Sequence, residues 1–391
     1  MKEIVPADRI SNVQEYYFSV KLKEIAQMNS QGADVINLGI GSPDLPPAKE
    51  VTDTLAQEAA DPKAHGYQPY VGTPQLRQAW AQWYSRWYGV ELNPVNGVLP
   101  LMGSKEGIMH ISMAFVNDGD AVLVPNPGYP TYSSVSKLVG AKIISYDLCA
   151  EKGWQPDFNA LEQAHKNGEI DLDSVKLMWC NYPNMPTGAN GSVELFERLV
   201  AFGKKYGIII CHDNPYSFIL NDKPLSIMSV EGAKDICIEL NSMSKSHNMP
   251  GWRIGTLVSN SQFVEWVLRV KSNMDSGMFR PMQLAAVKAL EAPKEWYVQM
   301  NGVYAARKAL AQAILEKVGA EVAPGQVGLF LWGKVQGKGV DICDKVLYNA
   351  KVFLTPGFIF GSNGDNYIRI SLCANEETLQ RALCRINENV E

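Results

Sequence analysis

A lysine at position 245 stands in the stretch N-S-M-S-K-S-H-N-M-P-G-W-R-I-G, residues 241 to 255, just past an apolar run and eight residues before Arg253. A lysine at the mouth of a sheet loses part of its hydration, which depresses its pKa and frees the amine for Schiff-base chemistry. Ser242, Ser244 and Ser246 with Arg253 offer hydroxyls and a guanidinium, a set suited to a phosphate. A lone lysine in a polar loop is most often only solvated. Lys245 stands out through the apolar strand before it and the G-W-R-I-G after it.

Asp213 ends the run GIIICHD and leads into Asn214, Pro215 and Tyr216. A carboxylate at the C-terminal end of a strand points into the crevice where α/β sheets bind ligands. It reads equally well as a helix N-cap. The stretch L-M-G-S-K-E-G, residues 101 to 107, precedes the amphipathic IMHISMAF and carries Ser104 and Lys105. A glycine at a helix start lets backbone N–H groups approach an anion, and the helix dipole favours negative charge there. Arg369 lies inside the strand-like YIRIS, where a guanidinium among apolar neighbours needs either a carboxylate ligand or an internal ion pair. N-Y-P-N-M-P-T-G at Asn181, P-N-P-G-Y-P-T-Y at Pro125 and G-Y-Q-P-Y-V-G at Gly66 read first as turns. The five histidines show no H-x-x-x-H or HExxH spacing, so no metal site is expected; no G-x-S-x-G elbow supports a serine hydrolase.

Positioning these groups takes an α/β fold. Apolar runs at Ala121 (AVLVP), Val175 (VKLMWC), Gly207 (GIIICHD), Asp235 (DICIEL) and Arg253 (RIGTLVS) predict strands, and their unbroken apolarity predicts cover on both faces. Between them, Leu195, Phe196, Leu199 and Phe202 share one face of a predicted helix from Val193. Pro281 to about Lys317 reads as one long helical stretch, followed by strands at GLFLWGKV and YIRIS and a last helix at EETLQRALCRIN. Three segments are expected: 1–47, packing with the C-terminal part; 48–281, a large domain with a mostly parallel mixed sheet; and 282–391, a smaller α+β domain.

Composition narrows the function classes. The chain has 391 residues, 46% hydrophobic and 20% charged, with 36 basic and 41 acidic residues for a net charge of −5. No basic run suggests nucleic acid or an anionic membrane as partner. No apolar stretch approaches the ~20 residues of a membrane span. The N-terminus lacks a signal-peptide core. Seven cysteines, at 149, 180, 211, 237, 343, 373 and 384, form no C-x-x-C pair, which predicts a reducing cytoplasm rather than a disulfide framework.

Taken together, these stretches resemble the class I/II aminotransferases, pyridoxal-phosphate enzymes of fold type I, from NLGIGSPD at Asn37 to YIRIS at Tyr367. PLMGSKEGIMH and HDNPYS look closest to the diaminopimelate and alanine aminotransferase branch. The resemblance implies pyridoxal 5′-phosphate as cofactor and a ping-pong transfer of an amino group between an L-amino acid and a 2-oxo acid. By the same resemblance Lys245 would hold the cofactor and move the proton, Asp213 would pair with the pyridinium nitrogen, and Tyr216 would donate to O3′. Tyr129 would stack on the ring, with Pro215 on the opposite face. Ser104, Lys105, Ser242 and Arg253 would bind the phosphate, joined by Tyr67 from the neighbouring subunit of a homodimer. Arg369 would grip the substrate carboxylate, helped by the Gly41 N–H.

One departure stands out. The family usually reads N-P-T-G, its asparagine donating to O3′, whereas Met185 precedes Pro186 here. Methionine has no donor, so Asn184, one residue earlier, is expected to supply the bond. Tyr16 and Tyr17 stand near the expected entrance. The competing readings are an eliminating lyase of the same fold and a non-catalytic sensor.

Overall fold

The computed structural model describes residues 4–11, 13 and 17–390; Tyr16 lies outside the described residues. In chain order the strands are β1 (Ile36–Asn37), β2 (Val98–Leu101), β3 (Ala121–Asn126), β4 (Lys142–Asp147), β5 (Val175–Cys180), β6 (Ile209–Asp213), β7 (Cys237–Ser242), β8 (Gly255–Val258), β9 (Glu321–Val322), β10 (Phe330–Lys334), β11 (Val352–Phe353), β12 (Thr355–Pro356) and β13 (Tyr367–Ser371). Seven of them form one mixed sheet in the order β2-β8-β7-β6-β5-β3-β4, with β8 antiparallel to both neighbours and the other pairings parallel. Alternate residues of β5 feed opposite apolar layers. Leu177 and Trp179 pack with Ile108 and Ile111, Met178 and Cys180 with Leu195 and Phe196. Cover on both faces is the reason this strand reads as continuously apolar. The α/β class with a mostly parallel mixed sheet is as expected.

Local chemistry sets the element ends. The Val193–Tyr206 helix starts at Ser192, whose Oγ accepts from Leu195 N at 3.1 Å, and stops at Gly207 in a left-handed conformation, φ 66°. The stretch from Pro281 is two helices, Arg280–Leu290 and Lys294–Lys317, rather than one. Pro293 between them lacks an N–H and disfavours a helical residue before it. The predicted strand at Asp235 begins only at Cys237, because Ala233–Ile236 forms a short helical turn.

A second, antiparallel sheet runs β12-β13-β10-β9 and carries Arg369 opposite Trp332 and Thr355. The N-terminal segment joins this part of the molecule. Strand β1 pairs with β11 (Ile36 with Val352), and Phe18 and Ile25 pack on Leu347 and Phe353. Among the described residues no helix is long and apolar enough to cross a membrane.

Candidate active site

Strands β6 and β7 end side by side at one edge of the large sheet, and each delivers a reactive side chain where it stops. Asp213 closes β6. Ser242 closes β7 and caps the short Met243–Ser246 helix, its Oγ accepting from Ser244 N at 3.2 Å. That turn aims Lys245 into a cavity of about 300 Å³, which Asp213 and Arg369 also line.

The Lys245 ammonium donates to the Gly41 carbonyl. Burial lowers its pKa to about 8, the Cys373 thiol opposes the fall, and the Arg369 and Arg253 charges add to it. About a tenth is therefore free amine at pH 7, far more than for an ordinary lysine, and able to act as nucleophile or base. Glycine is required at position 41, since a Cβ there would stand 2.2 Å from Phe330 Cζ.

Asp213 is fully enclosed. Tyr132 Oη donates to Oδ2 at 3.0 Å, the Asn181 amide donates to the Asp213 main-chain carbonyl at 2.6 Å, and Oδ1 is buried with no hydrogen-bond partner. Burial raises its carboxyl to about 6, against the lowering effect of the Tyr132 hydroxyl. A buried, unpaired carboxylate oxygen on a residue that lines a cavity calls for a cationic or N–H-bearing ligand. Tyr132 itself stacks on Trp179, with ring centroids 5.1 Å apart and planes at 3°. Its role in orienting Asp213 was not read from the sequence, though its place three residues after Tyr129 puts both tyrosines on one side of a helical turn.

The Ser104–Phe115 helix begins at Gly103, φ 85°, with Ser104 and Lys105 lining the cavity beside Ser242, Ser244 and Arg253. Arg253 Nη1 donates to Pro250 O at 2.9 Å and to Ser244 Oγ at 3.3 Å. A Cβ at position 103 would meet Arg253 Nη2 at 2.3 Å, so glycine serves both the left-handed turn and the close guanidinium. Burial lowers the Lys105 pKa, and Arg253 adds to it. Two cations, three hydroxyls and a helix N-terminus converge, an arrangement that fits a phosphate dianion.

Arg369 is buried and lines the same cavity. Its Nη2 donates to Gly39 O at 2.7 Å and its Nη1 lies 3.1 Å from Met185 Sδ. The guanidinium carbon sits 3.9 Å from the centroid of the Phe330 ring and 4.7 Å from that of Phe360. Tyr129, Pro215 and Tyr216 complete the lining, and burial raises both tyrosine pKa values.

Two expected residues are not brought to this cavity. Asn184 is held inside its turn and does not line the cavity, its amide donating to Asn181 O at 3.1 Å and its Oδ1 accepting from Thr187 Oγ1 at 2.7 Å. Met185 and Asn181 line the wall instead. The expectation that Asn184 supplies the O3′ bond is therefore withdrawn. Asn184→Ala should leave the pH midpoint of the cofactor's absorbance change unmoved and destabilise the protein by about 1–3 kcal/mol, the cost of unmade buried hydrogen bonds, read by thermal melts. Met185→Asn, which adds a donor to the wall, should lower that midpoint. Tyr67 is 93% exposed and does not line the cavity of its own chain.

Elsewhere, Glu106, His110 and Asp275 cluster at a spacing that could hold a cation. The buried Lys271 ammonium donates to Asp275 Oδ2 at 2.6 Å, so that carboxylate is already neutralised.

The family model for aminotransferase class I and II matches residues 33–386. The LL-diaminopimelate aminotransferase of Dehalococcoides mccartyi is 39% identical over 382 residues, 97% of each chain, and that of Nitratidesulfovibrio vulgaris is 38% identical over 392 residues, 99% of each. Substrate-bound BacF from Bacillus subtilis superposes with a TM-score of 0.91 at 34% identity, covering 99% of this chain and 98% of its own. Aspartate aminotransferase from Thermotoga maritima gives 0.89 at 29% identity, covering 98% and 99%. Sequence and fold agree along nearly the whole length, and on that ground the chain belongs to the class I and II aminotransferases, a pyridoxal-phosphate-dependent family, and is an aminotransferase.

Proposed function

We propose that the enzyme works by a ping-pong exchange between an L-amino acid and a 2-oxo acid on pyridoxal 5′-phosphate held in this cavity. The observation that carries the reading is the convergence of Lys245, Asp213, Arg369 and the Ser104–Lys105–Arg253 cluster on one cavity. The unpartnered Asp213 Oδ1 and the polar cradle at the Ser104 helix fit the cofactor's ring nitrogen and phosphate. When bound, the cofactor supplies an electron sink for charge left at the substrate Cα.

The protein's share is positioning and proton transfer. Lys245 Nζ would anchor the cofactor, then take the proton from the substrate Cα and deliver it to the cofactor's C4′. Asp213 faces the pyridine nitrogen as an anion and keeps it protonated, while Tyr132 holds the carboxylate in place. Ser104, Lys105, Ser242 and Arg253 hold the phosphate. Tyr129 and Pro215 flank the ring. Tyr216 would donate to O3′, and Met185 offers no donor there. Arg369, oriented by Gly39 O, binds the α-carboxylate as a two-pronged donor near Gly41.

The same reading places residues 48–281 in a large unit and 1–47 with 282–391 in a small one, in line with the β1–β11 pairing. It also makes the enzyme a cytoplasmic homodimer in which Tyr67, exposed on its own chain, reaches the phosphate of the other. No relative named above favours a lyase or a sensor. The test is stoichiometric. One amino acid added alone should release one equivalent of its 2-oxo acid per chain and bleach the cofactor band, and a second 2-oxo acid should restore it. Turnover without that exchange would sink the reading.

Shared sites have a separate test. Mixing inactive Tyr67→Ala with inactive Lys245→Ala should recover up to about a quarter of wild-type activity, since random pairing makes half the dimers hybrid and each hybrid has one intact site. A fully active monomer in sedimentation would refute the shared site.

A further inference from the structure

We infer, building on the transaminase reading, that Arg307 is a positioning residue for the substrate carboxylate. Through Asp44 it holds the segment from Gly39 to Asp44 beside the end of β13, so that Arg369 and the Gly41 main chain meet one carboxylate together. Arg307 lies on the Lys294–Lys317 helix, is buried and does not line the cavity. Its Nη1 and Nη2 donate to the two Asp44 carboxylate oxygens at 2.6 and 2.9 Å, and Nη1 also donates to Leu372 O at 3.2 Å. Leu372 directly follows β13, the strand that carries Arg369. One guanidinium thus joins the two segments that supply the carboxylate's partners. A planar fork that meets both oxygens fixes angle as well as distance, which an ammonium would not.

The segment needs such a fastening. A Cβ at Gly39 would stand 2.4 Å from Phe353 Cε1, and one at Gly41 2.2 Å from Phe330 Cζ, so the main chain runs in contact with both rings. The glycines that allow this approach give the segment no side chains of its own to grip with. Up to Gly39 it is held from β12 and β13: Ser371 N donates to Leu38 O at 2.8 Å, Thr355 Oγ1 to Gly39 O at 3.2 Å, and Arg369 Nη2 to Gly39 O at 2.7 Å. At Gly41 the fastening is the Lys245 ammonium on the carbonyl.

In the transaminase reading Lys245 Nζ is committed to the cofactor and to proton transfer, so the working enzyme gives that bond up. Arg307 on Asp44 then holds the far end, helped by the Asn248 amide on Pro46 O at 3.3 Å. Gly39 O is also the acceptor that orients Arg369. A segment that slips therefore moves that acceptor and the Gly41 main chain at once. Misplacement of a binding group by about 1 Å costs on the order of 10²-fold in rate.

The experiment compares two small nucleophiles on the cofactor-loaded enzyme, followed by absorbance. Aminooxyacetate has a carboxylate that stands in for the substrate's, and O-methylhydroxylamine has none. Neither has an amino-acid side chain, so the comparison does not depend on which amino acid the enzyme prefers. Wild-type enzyme should react faster with aminooxyacetate. Asp44→Asn and Arg307→Gln should each cut the ratio of the two second-order rate constants by about tenfold or more, with the O-methylhydroxylamine rate held within about twofold. Asp44→Asn leaves a buried guanidinium without its carboxylate, a hazard to folding, so the double variant Asp44→Asn/Arg307→Gln, which removes both charges, carries the test as well. It should lower the ratio no further than either single change, as expected for one shared contact. Variants that keep the wild-type ratio, or that lose both reactions in parallel, overturn the inference and leave transamination standing. Wild-type enzyme with no preference for aminooxyacetate takes down the placement of the carboxylate on Arg369, and the inference with it.

Discussion

Lys245→Ala is expected to lose transamination by about 10²–10⁴-fold from the missing proton transfer alone, while still binding cofactor through the phosphate cluster. Single-turnover absorbance measures the first effect and equilibrium dialysis the second. In the wild type, borohydride reduction followed by peptide mapping should place the label on Lys245; a label on another lysine would refute the assignment. The same variant should be more stable without cofactor. Burial lowers the Lys245 pKa to about 8, from 10.5. A group depressed in the folded state contributes stability above its unfolded pKa, and that contribution is lost as pH falls through 10.5 toward 8. At pH 7 the buried ammonium therefore costs on the order of 2–3 kcal/mol, which alanine removes. A higher melting temperature together with lost turnover separates a chemical defect from misfolding. The pKa also sets a loading profile: the rate at which cofactor attaches should rise with pH and level off above about 8.

Asp213→Ala should reduce turnover by about 10²–10³-fold or more, the scale of removing one preorganised electrostatic partner from a reacting system. Its pH signature runs opposite to that of Lys245. Burial raises the Asp213 pKa to about 6, from 3.8. Folding is then favoured by protonation, fully below 3.8, and this contribution disappears as pH rises through 6. At pH 7.5 the enclosed anion costs on the order of 3 kcal/mol in the cofactor-free protein. Asp213→Ala should accordingly raise the melting temperature at pH 7.5 and much less at pH 4. Bound cofactor, with a cationic ring nitrogen against Oδ1, should abolish the difference. A wild-type protein whose melting point is equally pH-independent with and without cofactor would remove Asp213 from the ring site.

The central strands and the groups at their ends were legible because local rules suffice for them. Strands β3, β5 and β6 are apolar on both faces, so their runs stand out without any partner in view. Asp213 ends one such run, and Lys245 lies three residues past the end of β7. The Gly103–Ser104 turn carries its own signal in the glycine. Strands β2 and β4 gave weaker patterns: β2 has four residues, and β4 lies at a sheet edge with mixed burial.

Other features depend on contacts between distant segments, which no local pattern encodes. Pairing of β1 with β11 and packing of Phe18 on Phe353 bring the N-terminal helix to Arg369, some 350 residues away in the chain. Tyr132 bonds Asp213 across 81 positions. The motif around Met185 could be read, but whether Asn184 turned inward or toward the cavity rested on a choice of hydrogen-bond partners within one buried turn. Asn181 O and Thr187 Oγ1 satisfy it there, because an amide buried in a tight turn gains more from two close partners than from facing an open cavity. By itself, then, the sequence determined the α/β frame and the reactive side chains at its strand ends. The tertiary structure alone decided which aromatic walls surround them and which polar side chains are spent on the fold, since both follow from long-range packing.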